Sequence, residues 1–446
     1  MRGNRKWVIS YIVTLLVLLA LLILATRLDS PSEIISPPSL YGQNAEIQSA
    51  FEDVVGDTDI SLQYPNQGEY RSAFVLYDLD GDEENEAIVF YSRKSDETTA
   101  RMNILDFIDD EWTSVYDDVG YGGNILSVEF QDLNLDGSME LVCCWSLYGS
   151  DASKVMSVHS IKRTDDKVEG LVPLLNQPYS FASIGDADGD SKNEVFVAWL
   201  DLTDTDMPKA YASLFKCKED GTISQIGQNV ALDATISSYA SIKIQNVDGV
   251  PVAFIDAYKG ENSMITEIIW WDSEKKTLVA PFIDENSFTN IKTLRTPAIP
   301  SLDIDGDGKI EIPIARKADN DSKMMSLISW SSVEKGKLTP NAYSFVNSKY
   351  GYAYMIPKGK EKRLAATSVV DDSVITIYSA YDNKFENPYF SLAVKDYKDF
   401  DNSASHTFSV RHKDIVVYGS LTGGATSAGF KNPDIENSIV FFDDLK

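Results

Sequence analysis

The chain has 446 residues, more than one ordinary compact core accommodates unless the fold is repetitive or barrel-like. Its 68 acidic and 40 basic side chains leave a formal charge of −28, which argues against binding nucleic acid or an anionic membrane surface, since both require basic patches. Aromatic and β-branched residues are plentiful, so the chain does not read as disordered.

The first six residues carry Arg2, Arg5 and Lys6, and Trp7 to Thr26 then run for 20 residues without a charge. That length crosses a bilayer as a helix, and the clustered bases hold the short tail on the cytoplasmic side. A cleaved signal peptide is the rival, but Ile23 and Ala25 make a poor small-x-small site. The expected layout is a cytoplasmic tail over 1–6, a transmembrane signal anchor over 7–27, a stalk over 28–58 with its SPS and SPP runs, and a repeat domain over 59–446 outside the cytoplasm.

From residue 78 a pattern recurs. Asp78 begins DLDGDEENE, Asp132 begins DLNLDGSME, Asp186 begins DADGDSKNE and Asp303 begins DIDGDGKIE. The period is about 55 residues, and a worn copy, NVDGVPVAF, starts at Asn246 in the gap before Asp303. Two further units, near Ile356 and Arg411, keep the apolar frame without the acids. Each unit alternates apolar and polar residues over short segments, as in AFVLYD before a loop, EAIVFY after it and RMNILDFI after the next turn. Such segments are strands. Seven units of four strands predict an all-β fold, a seven-bladed β-propeller. ISLQYP sits where a fourth strand precedes a first one, so Ile60–Tyr64 is expected to close the last blade beside Ser438–Phe442 and remove two open edges.

Within the chain Cys143, Cys144 and Cys217 are the only cysteines, too few for a disulfide framework. The adjacent pair reads as two small strand residues on opposite faces, with a redox pair as the alternative.

The acidic loops have the composition of a hard-cation site. Calcium takes six to eight oxygens, and acids at alternate positions of a tight turn can converge on one point. Positions one, three, five and nine are Asp78, Asp80, Asp82 and Glu86; Asp132, Asn134, Asp136 and Glu140; Asp186, Asp188, Asp190 and Glu194; and Asp303, Asp305, Asp307 and Glu311. Position seven, Glu84, Ser138, Lys192 or Lys309, offers a carbonyl. An EF-hand needs a bidentate glutamate at position twelve, and a dockerin-type loop also closes with an acid there. Here that position is Val89, Cys143, Val197 or Ile314, inside the next strand, so both readings fail. The competing reading is a set of solvated acidic turns without metal. Repulsion among three or four carboxylates per loop weighs against it.

Repeated D-x-D-G-D-x-x-x-E loops between two strands resemble the FG-GAP/VCBS repeat family, the type of propeller found at the N-terminus of integrin α subunits, here in the form of bacterial membrane-anchored VCBS repeats. The Phe-Gly and Gly-Ala-Pro signatures of that family are not evident. The resemblance implies calcium, up to four structural ions, in the hairpins between the first two strands of a blade.

No G-x-S-x-G, H-E-x-x-H or P-loop occurs, and His159, His406 and His412 read as strand or surface residues. A carboxylate pair for glycoside or lyase chemistry stays open. The link at 420–437 is long, and insertions on one face of a repeat fold often mark a binding face. The expected function is a membrane-tethered, extracytoplasmic, non-catalytic module binding a protein or envelope glycan. The alternative is a polysaccharide lyase or glycoside hydrolase.

Overall fold

The computed structural model describes residues 43–445 except 57–58, 148–149, 165–166, 204–208, 317–323, 335, 370–372, 383 and 402–404. The expected cytoplasmic tail and membrane span lie outside these residues. Among the described residues no helix is long and apolar enough to cross a membrane.

The fold is a succession of antiparallel sheets, each built largely from strands consecutive in sequence. The second sheet is Asn124–Gln131, Glu140–Leu147, Ser150–Thr164 and Lys167–Tyr179. The third is Phe181–Gly185, Glu194–Asp201, Lys209–Cys217 and Ile223–Ala231, and the fourth runs from Ser238–Val247 to Thr277–Val279. Alternation along the strands supplies two apolar faces per sheet. Leu141, Cys143 and Trp145 pack toward the first sheet with Ile88 and Phe90, while Val142 and Cys144 pack toward the third with Val195 and Val197. The two adjacent cysteines therefore point opposite ways, both buried and unbridged. Phe196 and Leu214 then meet Ile255 and Ile265 of the fourth sheet, and Phe254 and Ile268 meet Ile312 of the fifth. Each sheet covers its neighbour in chain order.

The ends of the array differ from expectation. Ile60–Gln63 does not close the last sheet. It pairs with Phe90–Arg93 in the first sheet, while Phe74–Tyr77 pairs with Glu86–Val89 of the same strand. The two segments form one interrupted edge strand. Its interruption reaches the second sheet, where the amides of Asn66 and Gln67 both donate to the Leu126 carbonyl. At the other end Ile439–Phe441 pairs with Tyr352–Met355, which has itself joined the fifth sheet by pairing with Ser344–Asn347. After a four-residue turn Tyr352–Met355 folds back onto Ser344–Asn347 and stays in the fifth sheet. Only one sheet remains for the sixth and seventh repeats, formed by Leu364–Ser368, Val374–Ser379, Pro388–Asp396, Ile415–Gly419 and Phe408–His412. The described residues thus form six sheets where seven repeats predict seven.

Helices complete the ends. Residues 28–58 are not all stalk, because α1 (Gln43–Val55) packs on the first sheet with Ile47 and Phe51 fully buried one turn apart. Phe51 meets the Tyr91 ring edge-on at 5.1 Å. This apolar cluster draws on α1 and the first sheet, so the helix stands where a neighbouring sheet would otherwise lie. The long 420–437 link is likewise ordered: α2 (Gly423–Ser427) and α3 (Asn432–Glu436) bury Ala425, Phe430 and Ile435 against Phe390 and Phe408. It is core rather than a projecting binding loop.

Phe51→Ala should therefore lower stability by about 3 kcal/mol in urea unfolding, the usual cost of emptying a buried aromatic site. An unchanged midpoint would show that α1 is not part of the folded unit.

Candidate functional site

Four acidic loops lead into the strands Glu86–Arg93, Glu140–Leu147, Glu194–Asp201 and Ile312–Arg316, the last closed by the bridge of Leu302 with Glu311, and one hydrogen-bond skeleton repeats in all of them. The position-one carboxylate accepts backbone N–H groups within its own turn. Asp303 accepts from Gly306 and Gly308, each at 2.8 Å, and Asp186 accepts from Gly189 at 2.7 Å and Ser191 at 3.0 Å. Position three accepts from the amide of position five, as Asn134 does from Asp136 at 2.8 Å. Position five accepts from position seven, as Asp307 does from Lys309 at 2.9 Å. Position nine, a glutamate at the entry to the second strand, accepts from the amide of position two: Leu79, Leu133, Ala187 and Ile304 donate at 2.6, 2.8, 2.9 and 3.1 Å.

This skeleton requires left-handed backbone at positions four and six. Loop five has glycine at both, Gly306 and Gly308. Loop two has Leu135 at position four with φ 61°, a conformation in which a Cβ is strained.

The turn brings positions one, three and nine together. In Asp78/Asp80/Glu86, Asp186/Asp188/Glu194 and Asp303/Asp305/Glu311, one carboxylate oxygen from each residue lies within 4.8 Å of the others. The position-five acids fall outside these triads. The ninth-position glutamates are all buried. Burial, opposed by the position-two hydrogen bond, pushes Glu86 up to about 8 and Glu311 up to about 7. Burial and the nearby Asp82 push Asp80 up to about 6. Three acids of these loops keep an oxygen without a hydrogen-bond partner, Asp80 Oδ2, Glu194 Oε1 and Glu311 Oε1, and of the three only Glu194 Oε1 has a lysine beside it among the described residues. A buried, unpaired carboxylate oxygen aimed at other acids is costly unless a cation joins it. Loops one and five therefore fit a hard divalent ion, with the position-seven carbonyl available as a further oxygen.

Loops two and three are balanced from within. In loop two the Asn134 amide donates to Asp136 at 3.0 Å and to Glu140 at 3.5 Å. Arg163 donates to Ser138 at 2.9 Å and to the Asp80 carbonyl at 2.8 Å, tying loops one and two together. In loop three Lys216 Nζ lies 2.5 Å from Asp188, 2.7 Å from Asp190 and 3.0 Å from Glu194 Oε1. The first is a short hydrogen bond and the last an ion pair without hydrogen-bond alignment. Burial opposes the charge on Lys216, but the three carboxylates outweigh it and hold its pKa above the ordinary range. The repeat alignment does not show this partner, because Lys216 stands in the third strand, 22 residues after Glu194. Its only signal is a lysine ending an apolar run, YASLFK.

Buried acids elsewhere are held by partners. Asp256 pairs with fully buried Arg295 at 2.9 Å and accepts from Thr266 and Ser301. Asp233 pairs with Lys259 at 2.7 Å and accepts the Asn290 amide. Asn290 in turn donates to Glu267, which burial pushes up to about 7. His159 is buried in its strand, where desolvation holds its pKa down at about 4. Asp443 and Asp444 lie 2.8 and 3.3 Å from opposite ring nitrogens of His412, and one ligand atom from each of the three residues lies within 4.8 Å of the others.

A groove of about 600 Å³ opens beside loop five between the fourth and fifth sheets, lined by Gln245, Asp248, Lys309, Glu334, Lys337 and Thr339. Gln245 fixes one wall by donating to the Gly308 carbonyl at 2.6 Å and accepting from Ile310 N at 2.9 Å.

No family model matches the chain, and no curated protein matches it. Solved structures with some likeness include a protein from Lactobacillus plantarum, at 11% identity over 70% of this chain and 82% of that one with a TM-score of 0.26. The Dos1 propeller matches at 9% identity over 77% and 81%, TM-score 0.26. A B. megaterium levansucrase matches at 9% identity over 65% and 82%, TM-score 0.26. Likenesses this loose leave the fold to be read from the sheets themselves.

Leu135 is 56% exposed, so Leu135→Gly removes the strained Cβ without opening a cavity. The variant should be more stable by about 0.5–1 kcal/mol in urea unfolding. A loss of stability would show that the left-handed turn is not strained.

Proposed function

We propose that this chain is a membrane-tethered, extracytoplasmic array of propeller-type sheets, stabilised by calcium in its acidic loops and acting as a non-catalytic module for a protein or envelope glycan. The observation that carries the calcium reading is loop five. Glu311 is wholly buried, one of its oxygens has no hydrogen-bond partner, and that residue converges with Asp303 and Asp305. The FG-GAP/VCBS resemblance rests on the same loops. The anchor rests on the charge-free run from Trp7 to Thr26 behind three bases.

Calcium that binds the folded state alone adds about 2.7 kcal/mol per site at a hundredfold excess over its Kd. Chelator at constant ionic strength should lower the melting temperature of the wild type. Glu311→Gln should lose one ion by native mass spectrometry and a matching share of the calcium-dependent shift. A melting temperature indifferent to calcium would end the proposal.

The binding reading places the partner in the groove beside loop five. Its walls offer lysines, acids and amides that can hydrogen-bond a sugar or a peptide, and its position couples occupancy to the metal hairpin. Thr339→Trp should fill the groove and cut retention on insoluble cell-envelope material at least tenfold, with an unchanged melting temperature. Equal retention of the variant and the wild type would remove the groove from consideration.

A further inference from the structure

The strand ladder sets one third-strand residue opposite each ninth-position glutamate. The ladders end at the pairs Ala87–Leu105, Leu141–His159, Val195–Phe215 and Ile312–Ser331, and continuing the register one step sets Glu86 across from Asp106, Glu140 from Ser160, Glu194 from Lys216 and Glu311 from Ser332. Loops one, three and five share their turn and their acids, whereas loop two has Asn134 at position three, so among those three this facing residue is where they differ chemically. In loop one it is a buried acid, Asp106, which adds negative charge beside Glu86 and Asp80. In loop five it is a neutral serine. In loop three it is a lysine.

We infer that loop three is not a calcium site: the Lys216 ammonium occupies the point on which its carboxylates converge and serves as a built-in cation. The inference rests on the calcium reading of loops one and five and limits it. Three carboxylates surround Nζ at 2.5–3.0 Å, the contact range of charge-assisted hydrogen bonds. Two members of the triad, Asp188 and the fully buried Glu194, both lie within ion-pair distance of Nζ. A divalent ion bound to the same oxygens would stand within about 3–4 Å of a fixed positive charge, and the two would repel. Lys216 has no free path of retreat, because its side chain is four-fifths buried between the loop and its own strand. The third loop is thus permanently loaded, at any calcium concentration, by a cation that folding supplies.

Calcium chloride titrated into the full chain, with bound ions counted by native mass spectrometry, tests this. Asp188→Asn should leave the wild-type ion count unchanged. Lys216→Met keeps the aliphatic stem, removes the charge, and should add one ion, which Asp188→Asn in the same chain should remove. Because Lys216→Met leaves four acids in one hairpin, it is prepared in calcium, and its melting temperature should fall further in chelator than that of the wild type. The Asp188→Asn arm does not depend on that variant folding. A wild-type count that drops by one in Asp188→Asn overturns the inference, as does a folded Lys216→Met that gains no ion while the wild type binds calcium elsewhere. A wild type that binds no calcium, unchanged by Glu311→Gln, defeats the reading of loops one and five instead. An ion gained by Lys216→Met under those conditions would still support the lysine plug, and none gained would defeat both.

Discussion

The constraint on which the loops depend is the burial of a glutamate at the start of each second strand. Its backbone must be there to begin the ladder, and its carboxylate must turn inward to accept the position-two amide that closes the hairpin. That hydrogen bond organises the turn, but it satisfies only part of a group whose removal from water costs several kcal/mol. Every loop therefore has to supply something positive, or a proton, near the same point. Burial displaces all four of these glutamates upward, Glu86 to about 8 and Glu311 to about 7.

The chain meets the requirement in three ways on one scaffold. Loop two replaces an acid with the Asn134 amide and keeps Arg163 at its rim. Loop three brings Lys216 across from the third strand. Loops one and five leave the place open to a hard cation. On the calcium reading proposed above, the array would depend on the ion unevenly: the third sheet would hold its hairpin through Lys216, whereas loop five, beside the groove clamped by Gln245, would respond to it. The worn repeat at Asn246, which keeps only Asp248 of its acids, avoids the problem by making a two-residue turn, Asp248–Gly249, with no glutamate at position nine.

Much of this was legible in sequence because it is local. The turn chemistry of D-x-D-G-D, the glutamate at position nine and the strand at position twelve are all set within a dozen residues, and the structure repeats them in four places. The opposed faces of Cys143 and Cys144 follow from strand alternation in the same way. What could not be read involves partners distant in the chain. Lys216 reaches loop three through strand pairing, and α1 finds the first sheet through the exposed apolar face that Tyr91 and Leu105 help to form. The count of sheets failed for a related reason. Repeat spacing registers where apolar segments lie, not which neighbour each pairs with. Tyr352–Met355 paired with Ser344–Asn347 and so joined the fifth sheet.

The same distinction bears on how the ends are protected. A ring removes its edges by pairing the first strand with the last, and this chain pairs neither that way. Ile60–Gln63 is used to finish the first sheet, Ile439–Phe441 to finish the fifth, and the face left over is closed by the apolar side of α1. A helix is well suited to that task because its backbone hydrogen bonds are internal, so it covers a sheet face without presenting another edge. The helix Gln43–Val55 is consequently part of the folded unit rather than a spacer alone.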